Sequence, residues 1–186
     1  RELLDAQAAG HGAAILHQGK YWYTESGTAP AAISVDEVLA DPDLMAASQR
    51  AQVAIDTELG KLQAELGLAD DEILEMPFLY TEFQYGNQRF QIAYQPGTVN
   101  ALVMQDTIVI PKPFGPVIDG EDLFEADLRA RLGGGQNELG SDGLGLDVFF
   151  ADDWDLYHRL DGEVHCGTNP EGPIPASGLQ WWETGR

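Results

Sequence analysis

Cys166 is the single cysteine of this 186-residue chain, and it stands in the run Gly162-Glu163-Val164-His165-Cys166-Gly167-Thr168-Asn169. A thiolate is an intrinsically strong nucleophile once its surroundings lower the thiol pKa. His165 or a helix N-terminus could do that. Gly167 removes a side chain beside the sulfur and would let a substrate come close. The plainer readings are a lone cysteine serving as a small buried hydrophobe and a His165 ring serving as a hydrogen-bonded structural group. Adjacent side chains often point apart, so His165 need not touch the sulfur. The acidic run Asp152-Asp153-Trp154-Asp155 has the ligand type calcium favours but lacks the spacing and glycine of an EF-hand. Asp70-Asp71-Glu72 is most simply a solvated turn or helix start, and Lys112 a turn residue able to pair with an acidic surface.

The elements that must position Cys166 are legible in part. Residues 1–9 read as the end of a helix stopped at Gly10, and Ala13 to His17 as a short strand. Ser34 with Glu37 forms a capping-box pattern. Asp41 followed by Pro42 is a second start signal. Behind it Leu44, Met45, Val53, Leu59, Leu62 and Leu66 fall near helical spacing, as far as Gly67. The middle predicts strands at Ile73–Met76, Phe78–Phe83, Arg89–Tyr94, Asn100–Met104 and Thr107–Ile110. A helix is expected over 120–132, with Leu123, Phe124, Leu128 and Leu132 on one face. Residues 133–145 hold six glycines and read as a loop. The apolar run Leu146–Phe150 predicts a strand buried on both faces. The tail beyond Pro170 reads as irregular until Trp181 and Trp182, expected to pack on the domain. Helix, strands, helix and strands together point to a mixed sheet with helices packed on it, an α/β or α+β fold.

Thirty-one carboxylates oppose ten Lys and Arg, for a formal net charge of -21. Such a surface repels nucleic acid and anionic membranes and attracts cationic ligands, arginine-rich peptides among them. The same acidity would also serve solubility alone. No apolar run approaches the length that spans a bilayer. A lone cysteine excludes an internal disulfide, so it does not report the compartment. Abundant Ala and Gly with three Lys hint at a GC-rich bacterial source, for which a secreted enzyme is the favoured expectation. The chain begins at Arg1 rather than Met, so removal of an upstream segment is expected.

Two longer motifs carry a resemblance. The Cys166 segment is similar to the active-site segment of the protein-arginine deiminases, and so is Ile110-Pro111-Lys112-Pro113-Phe114-Gly115-Pro116-Val117-Ile118. Shorter echoes occur in the family's order: Gly10-His11-Gly12, Glu65-Leu66-Gly67-Leu68-Ala69, Val99-Asn100, Tyr157-His158 and Trp181-Trp182. Together they cover nearly the whole chain. The resemblance implies a pentein-type α/β-propeller, of which residues 1–186 would supply roughly the last two to three ββαβ modules. It also implies hydrolysis of peptidyl-arginine to peptidyl-citrulline and ammonia. Cys166 matches the nucleophile, which attacks the guanidinium carbon and forms an amidino-thioether that water then cleaves.

The family also uses a His-x-Asp pair and a further Asp that precede the cysteine. No His here has an Asp two places on in the matching context. An N-terminal polypeptide of the same enzyme is therefore the expected partner, and this chain alone is expected to be inactive. Where animal members carry a substrate-holding Arg, this chain has Leu160, with Arg159 beside it. Leu160, Arg159 and His165 are the expected substrate-binding residues, with peptide selectivity open to change. No cofactor is expected from this chain's own residues. Animal members require calcium, whose ligands lie mostly upstream of the matched region, so the resemblance leaves Ca2+ open. Two rival readings remain: a non-catalytic pentein module that binds cationic peptides, and a cysteine hydrolase using His165 or His158 as base.

Overall fold

The N-terminal helices begin and end where local chemistry directs. In the computed structural model, which describes residues 1–134 and 143–169, α1 runs over Glu2–Ala8. Gly10 then turns the chain at a φ of +90°, which glycine adopts without strain. A short strand β1 (Ile15–Leu16) follows, then a hairpin of β2 (Tyr21–Thr24) and β3 (Gly27–Pro30). Strand β4 (Ile33–Ser34) pairs antiparallel with β1. Ser34 then caps α2 (Val35–Ala40) with the reciprocal Ser34–Glu37 box. Asp41 accepts from the backbone of Asp43 and Leu44 to start α3 (Pro42–Leu66), and Gly67 ends it in the left-handed region. Each such cap is worth about 1 kcal/mol.

Helix α3 follows the predicted span but not the predicted contact face. Leu44, Ala47 and Ala51 are its buried residues, whereas Val53, Leu62 and Leu66 are exposed. The contact is made by small residues in the first half, which let β5 (Tyr80–Tyr85) approach closely enough for Ser48 Oγ to take Tyr80 N at 3.0 Å. The second half runs past the edge of that contact. Strand β5 pairs in register with β6 (Gln88–Ala93) around the turn at Gly86.

Residues 73–76 are not a strand. They follow a 3₁₀ turn over Asp70–Glu72 and have no strand neighbour among the described residues. Arg131 Nη1 donates to Glu75 O at 2.8 Å, so a side chain serves a backbone group that a sheet would have paired. Leu74 and Met76 still pack on the core.

The unit that matters most spans 102–151. β7 (Leu102–Met104) pairs antiparallel with β8 (Thr107–Pro111). The chain then makes the small pair β9 (Val117–Ile118) and β10 (Glu121–Asp122), followed by α4 (Leu123–Leu132) capped by Asp122. It returns as β11 (Asp147–Ala151), parallel to β8. This is a ββαβ unit with sheet order β11-β8-β7. Phe124, Leu128 and Leu132 are buried as the spacing predicts, and Leu128 and Leu132 cluster with Ile108 and Ile110. β11 is not buried on both faces: the face that carries Asp147 and Phe149 is open, and among the described residues β11 is the sheet edge. Phe149 is exposed, and Arg129 covers the rim by donating to Val148 O at 2.9 Å while lying 4.8 Å from the Phe150 ring centre.

A second core joins Leu3, Leu16, Val35, Val38, Leu44, Leu79 and Phe124, so α4 bridges the two clusters through Phe124. The fold is mixed α+β, with small two- and three-stranded sheets and no closed propeller among the described residues. The β2–β3 hairpin lies outside the strands that the sequence predicts above, although the aromatic run Tyr21-Trp22-Tyr23 before Gly27 is a usable signal. Trp181, Trp182 and the glycine-rich core of the 133–145 loop lie outside the described residues.

Candidate active site

Because β8 and β11 are parallel, the turns that leave their C-terminal ends emerge on the same side, where open α/β sheets place their ligand sites. One is the Lys112–Pro116 turn. The other leads through residues 152–167 to the thiol. Lys112 N donates to Ala151 O at 2.8 Å and ties the two together. Trp154, fully buried, sits between them, with its ring centre 5.7 Å from Phe114, 4.6 Å from Trp22 and 4.8 Å from His158. Its indole N–H donates to Tyr21 O at 3.0 Å, so the β2–β3 hairpin backs the site.

His17 completes this ring cluster, 5.0 Å from Trp154, and is fully buried. Burial, with the nearby His158 second, pushes its pKa down to about 3. His17 and His158 are therefore parts of the packed support, both sealed from solvent.

Below the thiol lies a buried acidic pair. Glu163 Oε1 accepts from Gly97 N and from His158 Nδ1, both at 2.9 Å, so Nδ1 carries the hydrogen. Asp153 faces the Glu163 carboxyl. Burial, then the Glu163 charge, raises the Asp153 pKa well above the carboxylate range.

Cys166 sits in a 3₁₀ turn, His165–Gly167, with its sulfur exposed. Asn100, from the turn between β6 and β7, meets it from the other side. Asn100 O accepts from His165 N at 3.1 Å, and Asn100 Nδ2 donates to Cys166 Sγ at 3.3 Å. That side-chain hydrogen bond, followed by backbone contacts of the turn, lowers the thiol pKa; the Glu163 charge works weakly the other way. The group that favours the thiolate is thus an amide from far along the chain. His165 contributes its backbone N–H, and its side chain is exposed.

The other expected residues fall out differently. Leu160 is 68% exposed on the approach to the cysteine turn. The Arg159 guanidinium is engaged on the protein itself: it pairs with Asp155 at 2.8 Å, donates to Tyr21 O and Tyr23 Oη, and stacks 3.8 Å from the Tyr23 ring centre. Gly167 is spoken for by Tyr157, whose ring occupies the space a side chain would need. Asp152, Asp153 and Asp155 do not converge. Asp152 pairs with Lys20 at 2.6 Å, Asp155 with Arg159, and Asp153 turns inward. Among the described residues no group of three or more His, Cys, Asp or Glu could hold a metal, and no helix is long and apolar enough to cross a membrane.

Asn100, Glu163 and Tyr157 are the site residues that spacing missed. Asn100 and Tyr157 appeared only within the short echoes, and nothing local marked Glu163 as buried.

The fold is thus an α+β chain whose only cysteine is exposed, takes a hydrogen bond from Asn100 and follows the strand β11. Comparison with known proteins gives its family. The family model "Protein-arginine deiminase (PAD)" matches residues 2–183, and the chain belongs to that family. It is 38% identical to human protein-arginine deiminase type-3 over 179 residues, which are 96% of this chain and 24% of that protein. It is 35% identical to the rat type-3 protein over 178 residues, with the same shares. With human type-1 it is 36% identical over 150 residues, 80% of this chain and 20% of the relative. The chain thus spans about a quarter of the length of the type-3 relatives it matches.

Proposed function

We propose that Cys166 is the nucleophile of an enzyme that hydrolyses arginine residues in peptides or proteins to citrulline and ammonia. The observation that carries this is the exposed sulfur with the Asn100 amide donating to it at 3.3 Å, in a chain of the deiminase family. The thiolate adds to the guanidinium carbon. Ammonia leaves with a proton from an imidazole, giving an amidino-thioether on Cys166. Water adds to that carbon, the C–S bond breaks, and the ureido product and thiolate return.

Guanidinium is a poor electrophile, so carboxylates must clamp it. The described acids near the thiol are not free for that, since Glu163 and Asp153 are buried against each other. We assign the clamp, and the protonating His, to an N-terminal polypeptide of the same enzyme. The present chain is then the C-terminal part of a pentein catalytic domain, and the 102–151 ββαβ unit supports that assignment. Exposed Leu160 and His165 are left to contact the substrate, with Arg159 acting through the hairpin it anchors. Calcium has no ligand set among the described residues, and no step is assigned to it.

The test is citrulline formation from an arginine substrate blocked at both ends, with the chain joined to or mixed with the His- and Asp-bearing part. Activity is expected, and Cys166→Ala should abolish it. An active Cys166→Ala protein would overturn the assignment. Salt-sensitive binding of arginine-rich peptides without citrulline would favour the acidic binding module instead.

A further inference from the structure

Glu163 is 6% exposed and lies directly beneath the thiol turn. Its carbonyl accepts Gly167 N at 3.2 Å, which helps close the turn that carries Cys166. Its carboxylate reaches the opposite wall, where Oε1 takes Gly97 N at 2.9 Å. Gly97 opens the turn that closes at Asn100, through Asn100 N to Gly97 O at 2.9 Å. Asn100 in turn holds His165 N and Cys166 Sγ. One residue therefore fastens both sides of the sulfur, by main chain on its own side and by side chain on the other. His158 Nδ1 holds the carboxylate from below at 2.9 Å.

We infer that Glu163 is a positioning residue for Cys166, whose carboxylate anchors the Gly97–Asn100 turn so that the Asn100 amide meets the sulfur and favours the thiolate. This deepens the reading of Cys166 as nucleophile and rests on it for its catalytic meaning. Two effects of Glu163 oppose each other. Its charge disfavours a second anion nearby, whereas its hydrogen bond holds the donor that favours one. The second wins, because the Asn100 bond acts on the sulfur directly and the carboxylate acts through space.

The rate of iodoacetamide alkylation against pH reports the thiolate directly, and Cys166 is the only cysteine. The titratable groups around it are Glu163, His165, His158, Asp153 and Tyr157. Asn100→Ala should move the inflection upward and slow alkylation several-fold at pH 7. Glu163→Ala should do the same, and the double variant should be no slower than Asn100→Ala alone. Glu163→Gln keeps the acceptor and drops the charge, so its inflection should return to the wild-type value or below. A folded Glu163→Ala protein with the wild-type inflection would overturn the inference, as would a double variant slower than Asn100→Ala. If Glu163→Ala does not fold, Glu163→Asp, shorter by one methylene, is read by the same criteria. Alkylation proceeds whether or not arginine is deiminated. Failure of the deiminase reading would therefore appear as missing citrulline beside an unchanged alkylation pattern.

Discussion

Gly167 packs against the ring of Tyr157, and a Cβ built on Gly167 would fall 2.6 Å from Tyr157 Cζ. The glycine beside Cys166 is thus required by the protein's own packing. Gly167→Ala should force the ring or the thiol turn to move, at a cost of about 1–3 kcal/mol. Denaturant midpoints would measure this, and Tyr157→Leu in the same chain should recover much of the loss. Equal and additive losses in the single and double variants would show that the two residues do not conflict.

The buried His17 predicts a loss of stability in acid. The unfolded imidazole takes its proton near 6.5, whereas the folded one resists until about 3. Between these values the unfolded chain binds more protons. The stabilisation is therefore complete above about pH 6.5 and declines as pH falls toward 3, by up to a few kcal/mol. His17→Gln does not titrate and should flatten that slope. Unfolding midpoints from pH 4 to 7 would measure it, and an unchanged slope in the variant would place the acid sensitivity elsewhere.

Asp153 has the opposite sign. Its folded pKa is raised by burial and by Glu163, so the native state holds the extra proton once pH exceeds the ordinary carboxylate value near 4. Its contribution is fully present below that pH and is lost as pH rises toward the folded pKa. Asp153→Asn keeps a donor facing Glu163 and removes the titration. The variant should gain on the wild type as pH climbs from 5 to 9. A parallel pair of stability curves would refute the assignment.

Arg159 makes one ion pair, two hydrogen bonds and a ring contact, all to Asp155, Tyr21 and Tyr23. Arg159→Ala should destabilise the hairpin by about 1–3 kcal/mol. Lysine cannot reproduce the planar fork and should not rescue it. Thiol alkylation should be nearly unchanged. A rise in peptide KM without a loss of stability would instead give Arg159 a direct hold on substrate.

The amino-acid sequence by itself settled what depends on neighbours along the chain. Ser34 with Glu37, Asp41 with Pro42, and Gly67 mark helix ends because caps are local hydrogen bonds and local φ values. The β5–β6 and β7–β8 hairpins were legible for the same reason, and the order of motifs around Cys166 pointed to the family that the comparison then showed. Periodicity failed where burial depends on partners distant in sequence. Among the described residues, 73–76 have no strand to pair with, β11 is a sheet edge, and much of the second half of α3 is exposed. The site itself was decided only by tertiary structure. Asn100 reaches Cys166 across 66 residues, as does Gly97 to Glu163, and no local pattern encodes such a closure. Whether a thiol is a buried hydrophobe or an exposed nucleophile is set by what packs around it.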